Sequence, residues 1–320
     1  MFRYVPIVFS AEEILDRSFK NANKIQKTDI NVLYKKKKTI IAKTESFSKT
    51  VISTLEGYVK KFPSFENLPF FYQELIDIKI NKDKLKKALG AVDWARKTCQ
   101  LIYSKQSKSL KKFQKINFLI KKQQEIYGRI SSVVKQIDNE LSLLNEAQKI
   151  MKKFPDISDI PTVVIAGYPN VGKSSLLKCL SSAKPEIAQY PFTTKEIHVG
   201  HLIRKEKHIT KRFQIIDTPG LFYRPFSKRN DIEKQAVAAL THLADIIIFI
   251  IDPTETCGYT LNDQKHLLSQ VKKMFTDSSL IIVENKADLK KTGSKFLKVS
   301  CKKVEGIKPL IEKIYSSFNS

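Results

Sequence analysis

A glycine-framed turn at residues 167–174 carries the clearest chemical signal in the sequence. It reads Gly-Tyr-Pro-Asn-Val-Gly-Lys-Ser and directly follows a β-branched run, residues 162–166, that predicts a strand. Glycines in such a turn let successive backbone N–H groups point at phosphate oxygens, and the following helix adds its positive N-terminal end. We therefore predict a phosphate loop (residues 167–174), in which Lys173 reaches the β- and γ-phosphates and Ser174 ligates Mg²⁺.

Two further segments can complete a metal and γ-phosphate site. Asp217-Thr-Pro-Gly220 closes a predicted strand, so Asp217 should hold Mg²⁺ through water while the Gly220 N–H faces the γ-phosphate. The loop at residues 190–195, Tyr-Pro-Phe-Thr-Thr-Lys, supplies threonines that could bind Mg²⁺ and sense the γ-phosphate. We predict Thr194 for this role and Thr193 as its alternative; a solvated polar loop would have the same composition.

The turn at residues 285–288, Asn-Lys-Ala-Asp, indicates which base is bound. A carboxylate at Asp288 can accept hydrogen bonds from the N1–H and 2-amino groups of guanine, whereas adenine offers neither group. A site built this way can reject the wrong analogue by roughly 10⁴ to 10⁵. Lys286 should lie along the base plane, and Asn285 should tie this base-recognition turn to the phosphate loop. Backbone N–H groups of Ser300-Cys301-Lys302 could bind the guanine carbonyl.

The elements that position these motifs follow two different periodicities. From residue 156 onward, short apolar runs alternate with helical segments, which predicts an α/β domain with a mainly parallel sheet and helices on both faces. The nucleotide motifs on its strand ends resemble those of a P-loop GTPase domain. Residues 1–155 show helical spacing instead and predict an all-α helical bundle. Its clearest stripe, assigned to one helix, is Ile126, Ile130, Val133, Ile137, Leu141 and Leu144. An aromatic cluster, Phe65, Phe70, Phe71 and Tyr72, could stack on nucleic acid, but we assign it to packing.

Charge indicates a polyanionic partner. The 320 residues contain 57 Lys+Arg against 32 Asp+Glu, a formal net charge of +25, and both halves are basic. The four cysteines lack C-x-x-C spacing and indicate reduced thiols, and no apolar run approaches the roughly 20 residues of a membrane span. We expect a soluble, cytoplasmic and monomeric protein whose helical half faces RNA. The lysine groups of that half are Lys35 to Lys38, Lys82, Lys84, Lys86, Lys87, Lys111, Lys112, Lys115, Lys121 and Lys122.

Taken together, the motifs resemble a known family over nearly the whole chain. GYPNVGKSS at 167–175, YPFTTK at 190–195, HVGH at 198–201 and DTPG at 217–220 resemble Obg-like, translation-factor-type GTPases. PFFYQELID at 69–77, KALG at 87–90, QAVAAL at 235–240 and CG at 257–258 are similar to the nucleolar GTP-binding protein (NOG) family. Because the chain ends at Ser320, it resembles a short, archaeal-type member without the C-terminal extension of eukaryotic ones.

The resemblance implies a GTPase that acts as a switch in large ribosomal subunit assembly and contacts ribosomal RNA and ribosomal proteins. Two alternatives stay open: an RNA-binding scaffold with incidental hydrolysis, and an Obg-like GTPase acting on mature ribosomes. Leu221 stands where many GTPases carry a water-orienting glutamine, so we expect slow turnover that a partner or K⁺ accelerates. Asn170 would help to hold K⁺, or would stabilise its own loop.

The predicted site residues fall into three sets. The nucleotide-binding set is Gly167, Asn170, Val171, Gly172, Lys173, Ser174, Ser175, Asp217, Gly220, Asn285, Lys286, Asp288, Ser300, Cys301 and Lys302. The catalytic set is Lys173, Thr194 and Asn170, and the Mg²⁺ set is Ser174, Thr194 and Asp217.

Overall fold

The chain forms two compact units. The computed structural model describes residues 2–112, 115–189, 196–206, 209–218, 237 and 239–319. The helical unit comprises Phe2–Asn67 and Lys79–Lys152, and the sheet unit comprises Leu68–Ile78 and Lys153–Ser320. A single boundary after residue 155 was predicted, but residues 68–78 group with the later part of the chain.

Tyr72 gives the physical reason for that grouping. Its side chain is fully buried, its hydroxyl bonds the Pro155 carbonyl at 2.7 Å, and it accepts the Ile157 N–H at 2.7 Å. Burial raises the pKa of Tyr72 well above its ordinary value. Because a buried hydroxyl needs hydrogen-bond partners, these contacts fix the segment around Tyr72 to the chain that leads into the sheet.

Five helices with long apolar faces account for most of the helical unit in the described residues. Ser10 and Glu13 form a capping box at the start of the first, and the Asn31 side chain accepts the Leu33 and Tyr34 N–H groups at the start of the second. The helices of this part of the chain are α1 (Ala11–Asn23), α2 (Val32–Lys61), α3 (Phe70–Ile80), α4 (Lys82–Lys112), α5 (Ile116–Gln136) and α6 (Asp138–Met151). Most of α3 belongs to the sheet unit.

The stripe assigned to one helix is shared by two. All six of its residues are buried, as predicted, but the helix is interrupted at Ile137, whose backbone (φ −104°, ψ 19°) leaves the helical region. The apolar spacing continues across this break, so periodicity alone could not reveal it. The aromatic cluster is also largely buried, and only Phe70, at 50% exposure, departs from the packing prediction.

Within the described residues, seven strands form one sheet in the order β2-β3-β4-β1-β5-β6-β7. The pairs β2·β3 and β3·β4 are antiparallel, and the other four are parallel. Strand bounds are β1 (Thr162–Ala166), β2 (Glu186–Gln189), β3 (Glu196–Glu206), β4 (Ile209–Asp217), β5 (Ile246–Ile251), β6 (Ser279–Glu284) and β7 (Leu297–Lys298). Every residue of β1 and β5 is buried, as expected for central parallel strands that are covered on both faces.

The predicted fold class, a helical domain followed by a mostly parallel sheet with helices, is confirmed. Strand β2 was not predicted from the sequence. The later helices are α7 (Lys173–Leu180), α8 (Leu261–Met274) and α9 (Ile307–Asn319). In the described part of the chain, none of the helices combines the length and apolarity needed to cross a bilayer.

Candidate nucleotide-binding site

The phosphate loop connects the carboxyl end of β1 to the first turn of α7. Its backbone enters the left-handed region at Asn170 (φ 62°) and Gly172 (φ 101°) and has φ 147° at Gly167. A Cβ at Gly167 would lie 2.8 Å from the Ile250 carbonyl oxygen, and one at Gly172 would lie 2.1 Å from Asn285 Nδ2. The two glycines are therefore required both by conformation and by the close approach of neighbouring loops.

Lys173 folds back over the loop that precedes it. Its side chain is buried, and Nζ donates to the Tyr168 carbonyl at 2.6 Å. Burial lowers the pKa of Lys173, although the nearby Asp217 charge opposes that shift. Of its predicted companions, Val171 is buried and acts through its carbonyl, while Ser175 is exposed on α7.

Ser174 and Asp217 meet beside this lysine and fit the oxygen ligands that Mg²⁺ requires. The Ser174 hydroxyl donates to Asp217 Oδ2 at 2.5 Å. Asp217 is fully buried, and within the described residues its other oxygen, Oδ1, has no hydrogen-bond partner. Mg²⁺ is commonly held by one or two carboxylates together with substrate phosphates, so an orphaned carboxylate oxygen at this place fits the ion. His198, which belongs to the HVGH stretch but was given no predicted role, lies with Nδ1 3.4 Å from Asp217 Oδ2.

Asn285 joins the base-recognition turn to the phosphate loop, as predicted. Its Nδ2 donates to the Val171 carbonyl at 2.8 Å, and its Oδ1 accepts the Cys301 N–H at 3.3 Å. The residue is only 4% exposed, so both contacts are sheltered from water. One side chain thus connects three loops that follow β1, β6 and β7.

Asp288 is held by Ser300 at the end of the same turn. The Ser300 hydroxyl donates to Asp288 Oδ1 at 2.6 Å, and this hydrogen bond lowers the pKa of Asp288. Asp288 itself is half-buried, which leaves its carboxylate accessible to a base. The geometry suits a fixed, ionised acceptor for paired N–H donors.

The turn at residues 300–302 differs from its predicted role. The Ser300 N–H donates to the Glu305 carbonyl at 3.0 Å, and the Cys301 N–H is directed at Asn285, so both amides already have acceptors. These residues contribute mainly by orienting Asp288 and Asn285, while Lys302 is exposed. Burial and the neighbouring Cys179 raise the pKa of the Cys301 thiol to about 12, in agreement with a packed, unreactive cysteine.

Asp252, which was not among the predicted site residues, holds Lys286 in place. Lys286 Nζ lies 2.6 Å from Asp252 Oδ2 and 2.6 Å from the Thr256 hydroxyl. Asp252 is fully buried directly after β5; burial raises its pKa, but hydrogen bonds from Lys286 and Thr254 outweigh burial and hold the pKa below its ordinary value. Gln264 of α8 accepts the Asp252 N–H at 2.7 Å and so fixes the backbone there. The position of Asp252 at a strand's carboxyl end was the available signal.

The other predicted site residues, Thr194 with its alternative Thr193 and Gly220, lie outside the described residues, as does Leu221. In the helical unit, three lysines of the predicted RNA-facing groups are in ion pairs. Lys38 pairs with Asp29, Lys86 with Glu66 and Lys122 with Glu125, at 2.9, 2.9 and 2.7 Å. Exposed pairs of this kind are weak, and each partly neutralises its lysine.

Comparison with known proteins agrees with these motifs. Residues 2–158 match the family model described as NOG1 N-terminal helical domain, and residues 231–288 match the model for Nucleolar GTP-binding protein 1. An uncharacterized protein of Methanocaldococcus jannaschii is 37% identical over 292 residues, which are 90% of this chain and 81% of that protein. Nucleolar GTP-binding protein 1 of Arabidopsis thaliana is 33% identical over 90% of this chain, which spans 43% of that relative.

One solved structure is also similar to part of this chain. A Plasmodium falciparum protein described as a nucleolar GTP-binding protein 1 is 31% identical, with a TM-score of 0.43 over 52% of this chain and 90% of that chain. The identity and coverage of the Methanocaldococcus and Arabidopsis relatives, together with the two family models, place both halves of the sequence in one group. The chain therefore belongs to the nucleolar GTP-binding protein family.

Proposed function

We propose that the protein binds GTP and GDP and hydrolyses GTP to GDP and phosphate. The observation that supports this most strongly is the Asn285 junction. A single buried amide ties the phosphate loop, through the Val171 carbonyl, to the turn that presents the Asp288 carboxylate. Phosphate recognition and guanine recognition are thereby held at one edge of the sheet, where open parallel sheets bind their ligands.

The chain's own groups can account for positioning and charge neutralisation in phosphoryl transfer. Lys173 would leave the Tyr168 carbonyl for the phosphates, and the loop amides would face the developing negative charge. Ser174 and Asp217 would hold Mg²⁺, which would neutralise negative charge that develops on the phosphates. Turnover should be slow, because Leu221 in the sequence cannot hydrogen-bond an attacking water.

K⁺ is the proposed accelerator within the site. Asn170 is exposed in the left-handed conformation, and its side chain makes no hydrogen bond to any described residue. This favours an ion-binding role over a loop-stabilising one, for which a side-chain to backbone bond would be expected. Hydrolysis should be faster in KCl than in NaCl, and Asn170→Ala should abolish the difference. Equal rates for the wild type in the two salts would remove K⁺ from the proposal.

Calorimetry with GDP and ADP tests nucleotide choice directly. The wild type should bind GDP far more tightly than ADP, and Asp288→Ala should lose most of that preference. Asp277→Ala, which removes an exposed carboxylate elsewhere in the sheet unit, is the matched control. Equal affinities of the wild type for GDP and ADP would refute guanine recognition.

We further propose that the nucleotide state controls binding to RNA of the large ribosomal subunit during its assembly. The net charge of +25 and the name of the Arabidopsis relative support this. Binding to RNA should weaken steeply as salt rises, because phosphate contacts release counterions. Co-sedimentation with immature rather than mature subunits should depend on GTP. A Lys173→Ala variant that still supports assembly would favour a scaffold with incidental hydrolysis.

A further inference from the structure

The outer face of α4 carries the only tryptophan in the chain. Trp94 is 49% exposed, and Leu101, two turns further along, is 57% exposed. Residues seven apart share a helix face, so Trp94 and Leu101 lie side by side. That face is opposite the buried stripe of the helix. The buried stripe comprises Leu85, Ala88, Val92, Ala95, Cys99 and Leu110. An exposed indole of this size needs a reason, because tryptophan usually buries most of its surface.

Gly90 leaves one approach to the indole open. Gly90 lies one helical turn before Trp94 on the same face of α4. A Cβ at Gly90 would meet no atom within 4 Å, so that turn is bare and faces open space. Glycine is a poor residue for a helix interior, and here it keeps the surface beside the ring uncovered.

Lysines extend this face in both directions. Lys87 lies two helical turns before Trp94, while Lys105 and Lys108 lie one and two turns after Leu101. These three lysines form no ion pair with any described residue, whereas Lys97 of the same face pairs with Asp93 at 2.7 Å. At 1.5 Å per residue, the face from Lys87 to Lys108 is about 32 Å long.

We infer that this face of α4 binds an unpaired segment of RNA, with Trp94 stacked on a base and the lysines on phosphates. The inference rests on the proposed RNA-binding function and assigns that function to particular residues. Positive charge combined with an aromatic platform is how proteins bind single strands without sequence preference. A protein partner fits less well, because lysine is depleted in the cores of protein interfaces.

Fluorescence measures the stacking directly, because Trp94 is the only tryptophan. Titration with a short, unstructured oligouridylate at low salt should quench its emission in a saturable way. Trp94→Ala should weaken binding of the labelled RNA about tenfold, the order expected for loss of one stacked base. Trp94→Phe should retain most of the affinity. Ile7→Ala, which removes an exposed apolar side chain elsewhere in the helical unit, should have no effect.

A second variant separates loss of the platform from loss of folding. Gly90→Leu introduces a good helix former into the open surface one turn before the indole, so the melting temperature should not fall while RNA affinity does. Unchanged RNA affinity in both Trp94→Ala and Gly90→Leu would overturn this assignment and leave RNA binding by other surfaces standing. Absence of RNA binding by the wild type, with GDP binding intact, would instead refute the RNA part of the proposed function. Quenching by RNA-free ribosomal proteins alone would assign the face to protein and overturn the inference.

Discussion

Replacing Asn285 by alanine should uncouple the two halves of the nucleotide site. The substitution removes a 2.8 Å hydrogen bond to the Val171 carbonyl and a 3.3 Å hydrogen bond from the Cys301 N–H. The buried Val171 carbonyl, left without its partner, should cost about 1–3 kcal/mol, the usual penalty for an unsatisfied buried group. The longer hydrogen bond from the Cys301 N–H should contribute about 1 kcal/mol, the usual net value, so we expect a combined loss of about 2–4 kcal/mol.

That loss should divide between folding and binding. In the free protein it lowers the free energy of unfolding, and in the complex it lowers GDP affinity because the turn must then be ordered by the ligand. If all of it appeared in binding, GDP affinity would fall about 30- to 700-fold. Inorganic phosphate and guanosine, tested as separate ligands, should each lose less affinity than GDP. Only GDP contacts both the phosphate loop and the base-recognition turn, which Asn285 connects.

Two measurements on Asn285→Ala test the combined loss in folding and binding. Urea unfolding of the nucleotide-free protein gives the folding part, and calorimetry with GDP gives the binding part. Asn262→Ala, at an exposed asparagine in the first turn of α8, is the matched control and should change neither quantity. A combined cost below about 0.5 kcal/mol, the size of an ordinary surface substitution, would contradict the role assigned to Asn285.

Three further substitutions probe the supporting contacts. Gly172→Ala forces φ 101° on a side chain and puts its Cβ 2.1 Å from Asn285 Nδ2, so calorimetry should show a loss of GDP binding that is smaller in an Asn285→Ala background. Ser300→Ala removes the hydrogen bond that lowers the pKa of Asp288. As pH is lowered from neutral, the GDP affinity of the wild type should stay constant down to the ordinary carboxyl range. The variant should lose GDP affinity at a higher pH than the wild type, because the Asp288 carboxylate then protonates at a higher pH. Gln264→Leu strands the Asp252 N–H and should lower the free energy of unfolding by about 1–3 kcal/mol, unlike Gln270→Leu on the more exposed side of α8.

The phosphate loop could be predicted because its requirements are local. Gly167 and Gly172 adopt positive φ, and Lys173 begins α7. The β-branched run before them predicts the buried strand β1. The base-recognition turn was equally legible, because it follows an apolar strand directly. In each case the residues that decide the conformation are adjacent in sequence, so spacing carries the information.

Features that depend on distant partners were not predictable in the same way. The attachment of residues 68–78 to the sheet unit depends on Tyr72 hydrogen bonds across 83 and 85 residues. The support of Lys286 by Asp252 spans 34 residues, and the amide of Ser300 is taken by Glu305 through an isolated bridge. Edge strand β2, Glu-Ile-Ala-Gln, lacks the apolar run that made β1 and β5 visible.

Each functional side chain of the base-recognition turn is held by a contact at the end of another strand. Asn285 contacts the loop after β1, Lys286 contacts Asp252 after β5, and Asp288 contacts Ser300 after β7. The positive φ of Lys286 (61°) lets these successive side chains diverge. Because no single loop fixes the turn, the proposed guanine specificity would be a property of the sheet edge as a whole. A disturbance of any of the three loops should then reach the base through the same four residues.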